Sequence, residues 1–178
     1  MIKNENIIKP KIKDSLEIAK LIKGGWNSAY KGLISDEYLK NMDVAKLSAN
    51  WKNKIRVNEN VYVYKENNEI LGVIIFGESK DFNAEVIGEV FVLYVKVEEK
   101  RKGIGTKLLK FAQNQLLEQG YEKMVIWCLK GNEQGSEFYK KHGGRKIKER
   151  DYIVGGIKVR EEGFLFDLKM KEEDYYAN

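Results

Sequence analysis

A mixed α+β fold is predicted by three features of this chain. Two β-rich runs flank a four-residue polar turn; a strand, a helix and a strand follow in succession; two further β-rich runs close the sequence. Hairpins on both sides of a strand–helix–strand unit call for a mixed, mostly antiparallel sheet of about seven strands flanked by about four helices, and exclude a doubly wound fold.

The elements follow in order. Residues 6–9 read as a short first strand. From Asp14 or Ser15, the apolar residues Leu16, Ala19, Ile22, Trp26, Tyr30 and Leu33 recur every three or four positions, one face of a helix. Ser35 caps a short second helix, whose Asp36 and Glu37 suit the positive end of its dipole. In VYVYKENNEILGVIIF, Glu66-Asn67-Asn68-Glu69 is the turn of an antiparallel hairpin. EVFVLYVKV, residues 89–97, is so continuously apolar that it reads as a central strand buried on both faces. Ile104, Leu108, Leu109, Ala112 and Leu116 mark a helix, KMVIWCL a strand at 123–129, and residues 133–141 a short helix. Strands at 147–152 and 159–168, the latter with Phe164, Phe166 and Leu168 alternating, complete the order β-α-α-β-β-β-α-β-α-β-β.

The length suits a single domain over residues 1–170, with a polar C-terminal tail at 171–178. With 43 % hydrophobic and 33 % charged residues the chain is a soluble globular type. No apolar run approaches the roughly 18 residues of a membrane span, and MIKNENIIKP lacks the core of a signal peptide. A single cysteine, Cys128, and a single histidine, His142, argue against a disulfide or a structural metal, so no metal is expected and the cytoplasm is the default location. Cys128, in an apolar strand, reads as a buried structural thiol; His142 sits at a helix end, where a cation suits the dipole. The net charge of +5 points to an anionic partner. No basic helix interleaved with exposed aromatics is present, so nucleic acid is set aside.

The informative stretch is VEEKRKGIGTKLLKF, residues 97–111. Gly103 and Gly105 lie between a basic cluster and a helical stripe, where a backbone turn and a helix N-terminus can together hold a phosphate. A dinucleotide-binding fingerprint would need a third glycine where Leu108 stands, and a P-loop pattern is absent. On its own the segment is equally consistent with a tight turn that binds nothing.

In context it resembles the acyl-CoA-binding motif of the GNAT superfamily (Gcn5-related N-acetyltransferases), Gln/Arg-x-x-Gly-x-Gly/Ala, here Lys100-Arg101-Lys102-Gly103-Ile104-Gly105. Lys100 keeps the charge of the usual first residue but loses its planar fork. EVFVLYV is similar to the superfamily's central fourth strand, and NEQGSEFYKKHGGRK to its Asn-x-x-Ala-x-x-Phe-Tyr segment, with Gly135 in place of the usual alanine and Arg145 where an aromatic residue is common. GWNSAYKGLISDEYL and GGIKVREEGFLFDL also look like a bacterial small-molecule acetyltransferase branch.

The resemblance implies a GNAT fold and an acyltransferase in which acetyl-CoA, as cosubstrate, gives its acetyl group directly to a primary amine. The acceptor is read as a small molecule, with polyamines among the candidates. A protein N-terminus or lysine, an aminoglycoside, or a non-catalytic acyl-CoA-binding role are the alternatives. An alkylamine with a pKa of about 10.4 is only about one part in 2,500 neutral at pH 7, so a base is the main requirement. Glu89, opening the central strand, is the candidate; Asp81 and Glu85 are weaker ones. Tyr139 would protonate the departing thiolate. The pyrophosphate would rest on the turn from Arg101 through Lys102, Gly103, Ile104 and Gly105 to Thr106, with the Thr106 hydroxyl as a further donor and Lys100 adding charge. The backbone of Leu93, Tyr94 and Val95 would meet the pantetheine, and Phe138 and Tyr139 would line its path. Asn132 would bond the cofactor or fix its own loop. Trp26, Tyr30, Glu89 and Tyr152 are the acceptor-side candidates, with Gly155 and Gly156 as a mobile turn beside them. Pairing of two chains through the C-terminal strands is compatible with Phe164 and Phe166.

Overall fold

The computed structural model describes residues 6–57, 60–80 and 86–169, so the C-terminal tail, Asp81 and Glu85 lie outside the described residues. The strands are β1 (Ile7–Ile8), β2 (Val61–Glu66), β3 (Glu69–Glu78), β4 (Gly88–Val95), β5 (Lys123–Leu129), β6 (Arg145–Val154) and β7 (Ile157–Asp167). The helices are α1 (Ser15–Ala29), α2 (Asp36–Lys40), α3 (Val44–Arg56), α4 (Ile104–Glu118) and α5 (Glu133–Lys141). One sheet runs β1-β2-β3-β4-β5-β7-β6, antiparallel except where β4 lies beside β5. The β2–β3 turn has Asn67 and Asn68 at φ 50° and 65°, the mirror-image turn whose twist suits a two-residue hairpin.

Five helices stand where four were expected. The addition is α3, and its cause is legible: the Asp43 carboxylate accepts from the amides of Ala45 and Lys46 at 2.8 and 3.1 Å. Val44, Leu47, Trp51 and Ile55 then return every three or four residues to pack against the core beneath α1. In turn α1 stops at Ala29, so Leu33 falls in the following loop rather than on the helical stripe.

Two cores sandwich the sheet. On one face Ile104, Leu108, Leu109, Ala112 and Leu116 of α4 pack with Ile74, Phe76 and Val90, and with Phe164 and Phe166 of β7. On the other, Ile18, Ala19 and Ile22 of α1 pack with Trp51 and with Val63, Val73 and Ile75. Burying each such leucine or isoleucine contributes about 1.5–3 kcal/mol, so α4 and α1 are fixed firmly on opposite faces. A third cluster of Ile34, Leu39, Leu129 and Val154 joins the α2 region to the β6–β7 hairpin.

β4 departs from a strand buried on both faces. Ile75 is opposite Val92 while Phe76 is opposite Val90, so Phe91 is an extra residue, a bulge left 49 % exposed. β4 pairs with β5 only through Gly88, Glu89 and Val90. Beyond the bulge the ladder between them is broken, and a cleft takes its place. The bulge also changes which residues share a face. Val90, Leu93 and Val95 pack on the α4 side, whereas Val92 and Tyr94 pack on the α1 side. Strand alternation puts Glu89 with the latter pair.

Candidate active site

The cleft has a volume of about 650 Å³ and lies between β4, β5, the start of α4 and one face of α5. Leu93, Tyr94 and Val95 form one wall, with backbone that has no strand beside it on the β5 edge. At its mouth the chain turns into α4. Arg101 is left-handed at φ 65°, and Gly103, the residue before the helix, at φ 83°. Gly103 has no side chain to cap the helix, and the first intrahelical bond runs from the Lys107 amide to the Gly103 carbonyl at 3.0 Å. The amides of Ile104, Gly105 and Thr106 therefore lack intrahelical acceptors at the positive end of the dipole.

The two glycines differ. A Cβ on Gly103 would meet no atom within 4 Å; glycine is required there by its positive φ. A Cβ on Gly105 would sit 3.5 Å from Phe138 and 3.6 Å from Val95, ordinary contacts that the protein would accept. Gly105 lines the cleft, so the added carbon would fill space in the cradle itself.

Lys100 and Arg101 line the same mouth. The Lys100 ammonium donates to Ser28 Oγ of α1 at 3.0 Å and to Gln134 Oε1 of α5 at 3.2 Å, spanning the opening, and partial burial lowers its pKa. Two members of the expected anion turn sit otherwise. The Ile104 side chain is buried beneath α4, 3.1 Å from where a Cβ on Gly72 would lie, leaving only its amide for a ligand. Lys102 is outside the cleft lining and pairs with Glu99 at 2.9 Å.

The α5 wall presents Asn132, Gln134, Gly135, Glu137, Phe138 and Tyr139, with Lys141 and His142 at its end. Asn132 caps the helix, its Oδ1 accepting from the Gly135 amide at 3.1 Å, which is the loop-fixing role. A Cβ on Gly135 would lie 2.9 Å from Cys128 Sγ, so glycine there follows from the sulfur beneath it. Burial pushes the Cys128 thiol up to about 11, as suits an inert thiol. The Tyr139 ring lies between Phe138 and Phe164, at centroid distances of 5.5 and 5.7 Å. Among the described residues its hydroxyl has no hydrogen-bond partner; burial, then the neighbouring Cys128 and Tyr30, raise its pKa far above the usual phenol value.

At the α1 side Tyr30 and Tyr94 share a hydroxyl–hydroxyl bond of 2.8 Å, and burial pushes Tyr30 up to about 12, the Tyr94 bond working against that rise. Trp26 meets Tyr30 edge to face at 5.2 Å and packs in the core clusters rather than on the cleft. Glu89 is buried, accepts from Ser79 Oγ at 2.6 Å, and stands outside the cleft lining. Burial raises its carboxyl pKa, the Ser79 bond opposes this, and Glu161 adds to it. Glu161 also raises Tyr30, so its field reaches both the cleft wall and Glu89. Tyr152 is half-exposed on β6 beside Arg150, apart from the cleft. The Gly155-Gly156 turn, expected to be mobile, is seated on Tyr38: a Cβ on Gly155 would lie 2.0 Å from its ring.

Gly25 and Ala29 of α1, Gln134, Glu137 and Lys141 of α5, and His142 just after it also line the cleft, although the sequence did not point to them as cleft residues. Spacings of 25–29 and of 134–138–141 with 142 placed them on faces shared with Tyr30 and Phe138; their polar or small character hid the signal.

This arrangement can hold an anion on backbone amides, run an extended ligand along β4, and offer a phenolic proton inside. The chain matches the acetyltransferase (GNAT) family over residues 26–144 and belongs to it. It is 26 % identical over 154 residues to YuaI, an uncharacterized N-acetyltransferase of Bacillus subtilis (strain 168), covering 86 % of this chain and 87 % of that one. Its fold is shared with the PaiA N-acetyltransferase of Thermoplasma acidophilum in complex with coenzyme A, with a TM-score of 0.73, 21 % identity, and coverage of 90 % of this chain and 97 % of that one. An N-acetyltransferase of Staphylococcus aureus Mu50 gives a TM-score of 0.69 at 22 % identity, covering 92 % and 98 %.

Proposed function

We propose that this member of the acetyltransferase family carries the acetyl group of acetyl-CoA directly to a primary amine of a small molecule, with polyamines among its acceptors. The observation that carries the reading is the uncapped turn into α4. Donors there face a cleft, and Gly105 stays glycine although the protein has room for a Cβ. A ligand that meets the backbone itself accounts for both features. The pyrophosphate of coenzyme A fits that cradle, with the charges of Lys100 and Arg101 beside it and that of Lys102 farther out. The thioester arm would pass along Leu93, Tyr94 and Val95 toward Phe138 and Tyr139.

Acetyl-CoA supplies the activated acyl group; the chain supplies position and protons. As the amine nitrogen bonds to the carbonyl carbon, the carbon–sulfur bond breaks. The proton leaving nitrogen passes through water to Glu89, which stands outside the cleft lining, and the sulfur takes a proton from Tyr139. The burial that raises Glu89 makes it a better-matched base near neutral pH. The burial that raises Tyr139 keeps its proton in place until a thiolate forms, and because a thiol is already acidic, near pKa 8.5, the help needed is modest.

A small acceptor is favoured by the closure of the α1 side: the β6–β7 turn is seated on Tyr38, and the cluster around Leu39 and Val154 seals that end. Cationic character in the acceptor is favoured by Asp36 and Glu37, exposed on α2, whereas Glu161 is already paired with Arg150 at 2.8 Å. Release of the coenzyme A thiol would be followed with spermidine, spermine, amino acids, an aminoglycoside and a lysine peptide. Turnover with a polyamine, lost in Tyr139→Phe and Glu89→Gln, is the expected result. Turnover confined to the peptide, or unchanged in both variants, would overturn the acceptor or the assigned roles respectively.

A further inference from the structure

The histidine at the end of α5 is joined to the anion turn by two hydrogen bonds that fix its proton inventory. His142 Nδ1 lies 2.7 Å from the carbonyl oxygen of Phe138. A carbonyl only accepts, so Nδ1 carries a hydrogen. In the neutral ring Nε2 is then a lone pair, and it lies 2.9 Å from Thr106 Oγ1. The Thr106 hydroxyl must donate its one hydrogen to that nitrogen. Its oxygen then turns only lone pairs to the cleft, which both residues line. With the ring protonated, Nε2–H becomes the donor to Thr106 Oγ1. The hydroxyl hydrogen is released and can point into the cleft.

We propose that His142 is a positioning residue for the pyrophosphate, acting through Thr106: the imidazolium frees the Thr106 hydroxyl to donate to an anion, and the neutral imidazole withholds it. The inference rests on the cofactor reading above. Binding of a pyrophosphate and protonation of His142 then reinforce one another, so binding takes up a proton. Affinity for the anion therefore falls as pH rises across the range in which an imidazole gives up its proton.

The charges around the ring set where the change occurs. In the turn before α4, Lys100 and Arg101 oppose protonation and Glu99 favours it; on α5, Lys140 and Lys141 oppose it, while Glu137 and the carbonyl end of the helix favour it. Lys107 on α4 is held away by its bond to Tyr64 Oη at 3.3 Å. The Phe138 ring, tilted 4.3 Å from the imidazole, keeps the ring in register with the carbonyl.

The probe is dephospho-CoA, which keeps the pyrophosphate and lacks the phosphomonoester that would titrate in the same range. Calorimetric titration from pH 5.5 to 8.5 is expected to show affinity falling about tenfold, the size of one charge-assisted hydrogen bond, with proton uptake visible as heats that vary with the buffer. Thr106→Val should bind at the weak high-pH level throughout, with no pH dependence, and Thr106→Ser should restore the dependence. Pantetheine, which has no pyrophosphate, should show none in any variant. Binding that is tight but independent of pH in the unaltered protein would overturn the inference and leave the cofactor reading standing. So would a pH dependence that survives in Thr106→Val, since the charge would then act without the hydroxyl. No binding of dephospho-CoA or acetyl-CoA at any pH would overturn both.

Discussion

The two sides of β4 are made of different materials. Toward α4, the cleft presents amides at a helix start, strand backbone released by a bulge and a tyrosine hydroxyl that is unengaged among the described residues. Toward α1, the surface is assembled from side chains of many elements: Tyr30, Tyr38, Glu89, Trp127, Tyr152 and Glu161. Arg150 lies 4.0 Å above the Trp127 ring while bonding Glu161 at 2.8 Å. Every residue has an amide, so the first side depends on backbone shape and needs a particular residue at only a few positions. On the second side each substitution changes what can bind. A cofactor common to a family belongs on the first kind of surface and a particular acceptor on the second.

Variants should separate the two sides. The largest effect is expected from Glu89→Gln, which should lower turnover by about 10²–10³-fold at pH 7 while acetyl-CoA binding is kept, since a positioned base contributes on that scale. The same change should raise thermal stability at pH 8. Because burial raises the folded-state pKa of Glu89, its contribution to stability is full below the unfolded value of about 4.3 and is lost as pH rises through the raised folded value. At pH 8 the ionised carboxylate is a cost that glutamine removes; near pH 4 the melting temperatures should converge. Melting curves at both pH values test the sign, and a lower Tm at pH 8 would count against a buried, desolvated carboxylate.

Tyr139→Phe should reduce kcat about 100-fold, the low end for a proton donor whose leaving group is already a good one, with Kd for acetyl-CoA nearly unchanged. A fall in affinity instead would make Tyr139 a packing residue of the cleft. Gly103→Ala should cost about 1–2 kcal/mol from its left-handed φ, roughly 2–8 °C in Tm, although no atom obstructs the new methyl group. The smallest effect is expected for Tyr152→Ala: a change of a few-fold in acceptor KM, with Kd for acetyl-CoA unaltered. Equal effects on both constants would erase the division between the two sides.

The same division explains what the sequence disclosed. The glycine turn, the apolar stripe of α4 and the Phe138-Tyr139 pair were legible because their spacing is local and their residue types have few alternatives. α3 has a signature of the same kind, in Asp43 and the spacing of Val44, Leu47, Trp51 and Ile55, although only four helices were expected. The bulge at Phe91 left no mark. An uninterrupted alternation puts Glu89 on the face of Leu93, and the extra residue moves it to the face of Tyr94. The sequence shows His142 only as a helix-end residue; its link to Thr106 joins residues 36 positions apart, a relation only the folded chain creates. On the side toward α1 the sequence pointed to Tyr30, Glu89 and Tyr152, but not to Tyr38, Trp127 and Glu161, which come from α2, β5 and β7 and meet only in the folded chain.

The most direct test of a cradle made of backbone is acetyl-CoA titrated calorimetrically into the unaltered protein and into Gly105→Val. The Cβ makes only ordinary contacts with Phe138 and Val95, so the variant should fold, with its fold checked by its Tm. It should nevertheless lose at least tenfold in affinity, because its methyl groups stand where the pyrophosphate must approach the amides. Equal affinity in the two proteins would mean that no ligand meets the backbone at Gly105, and the α4 turn would not be the cofactor site.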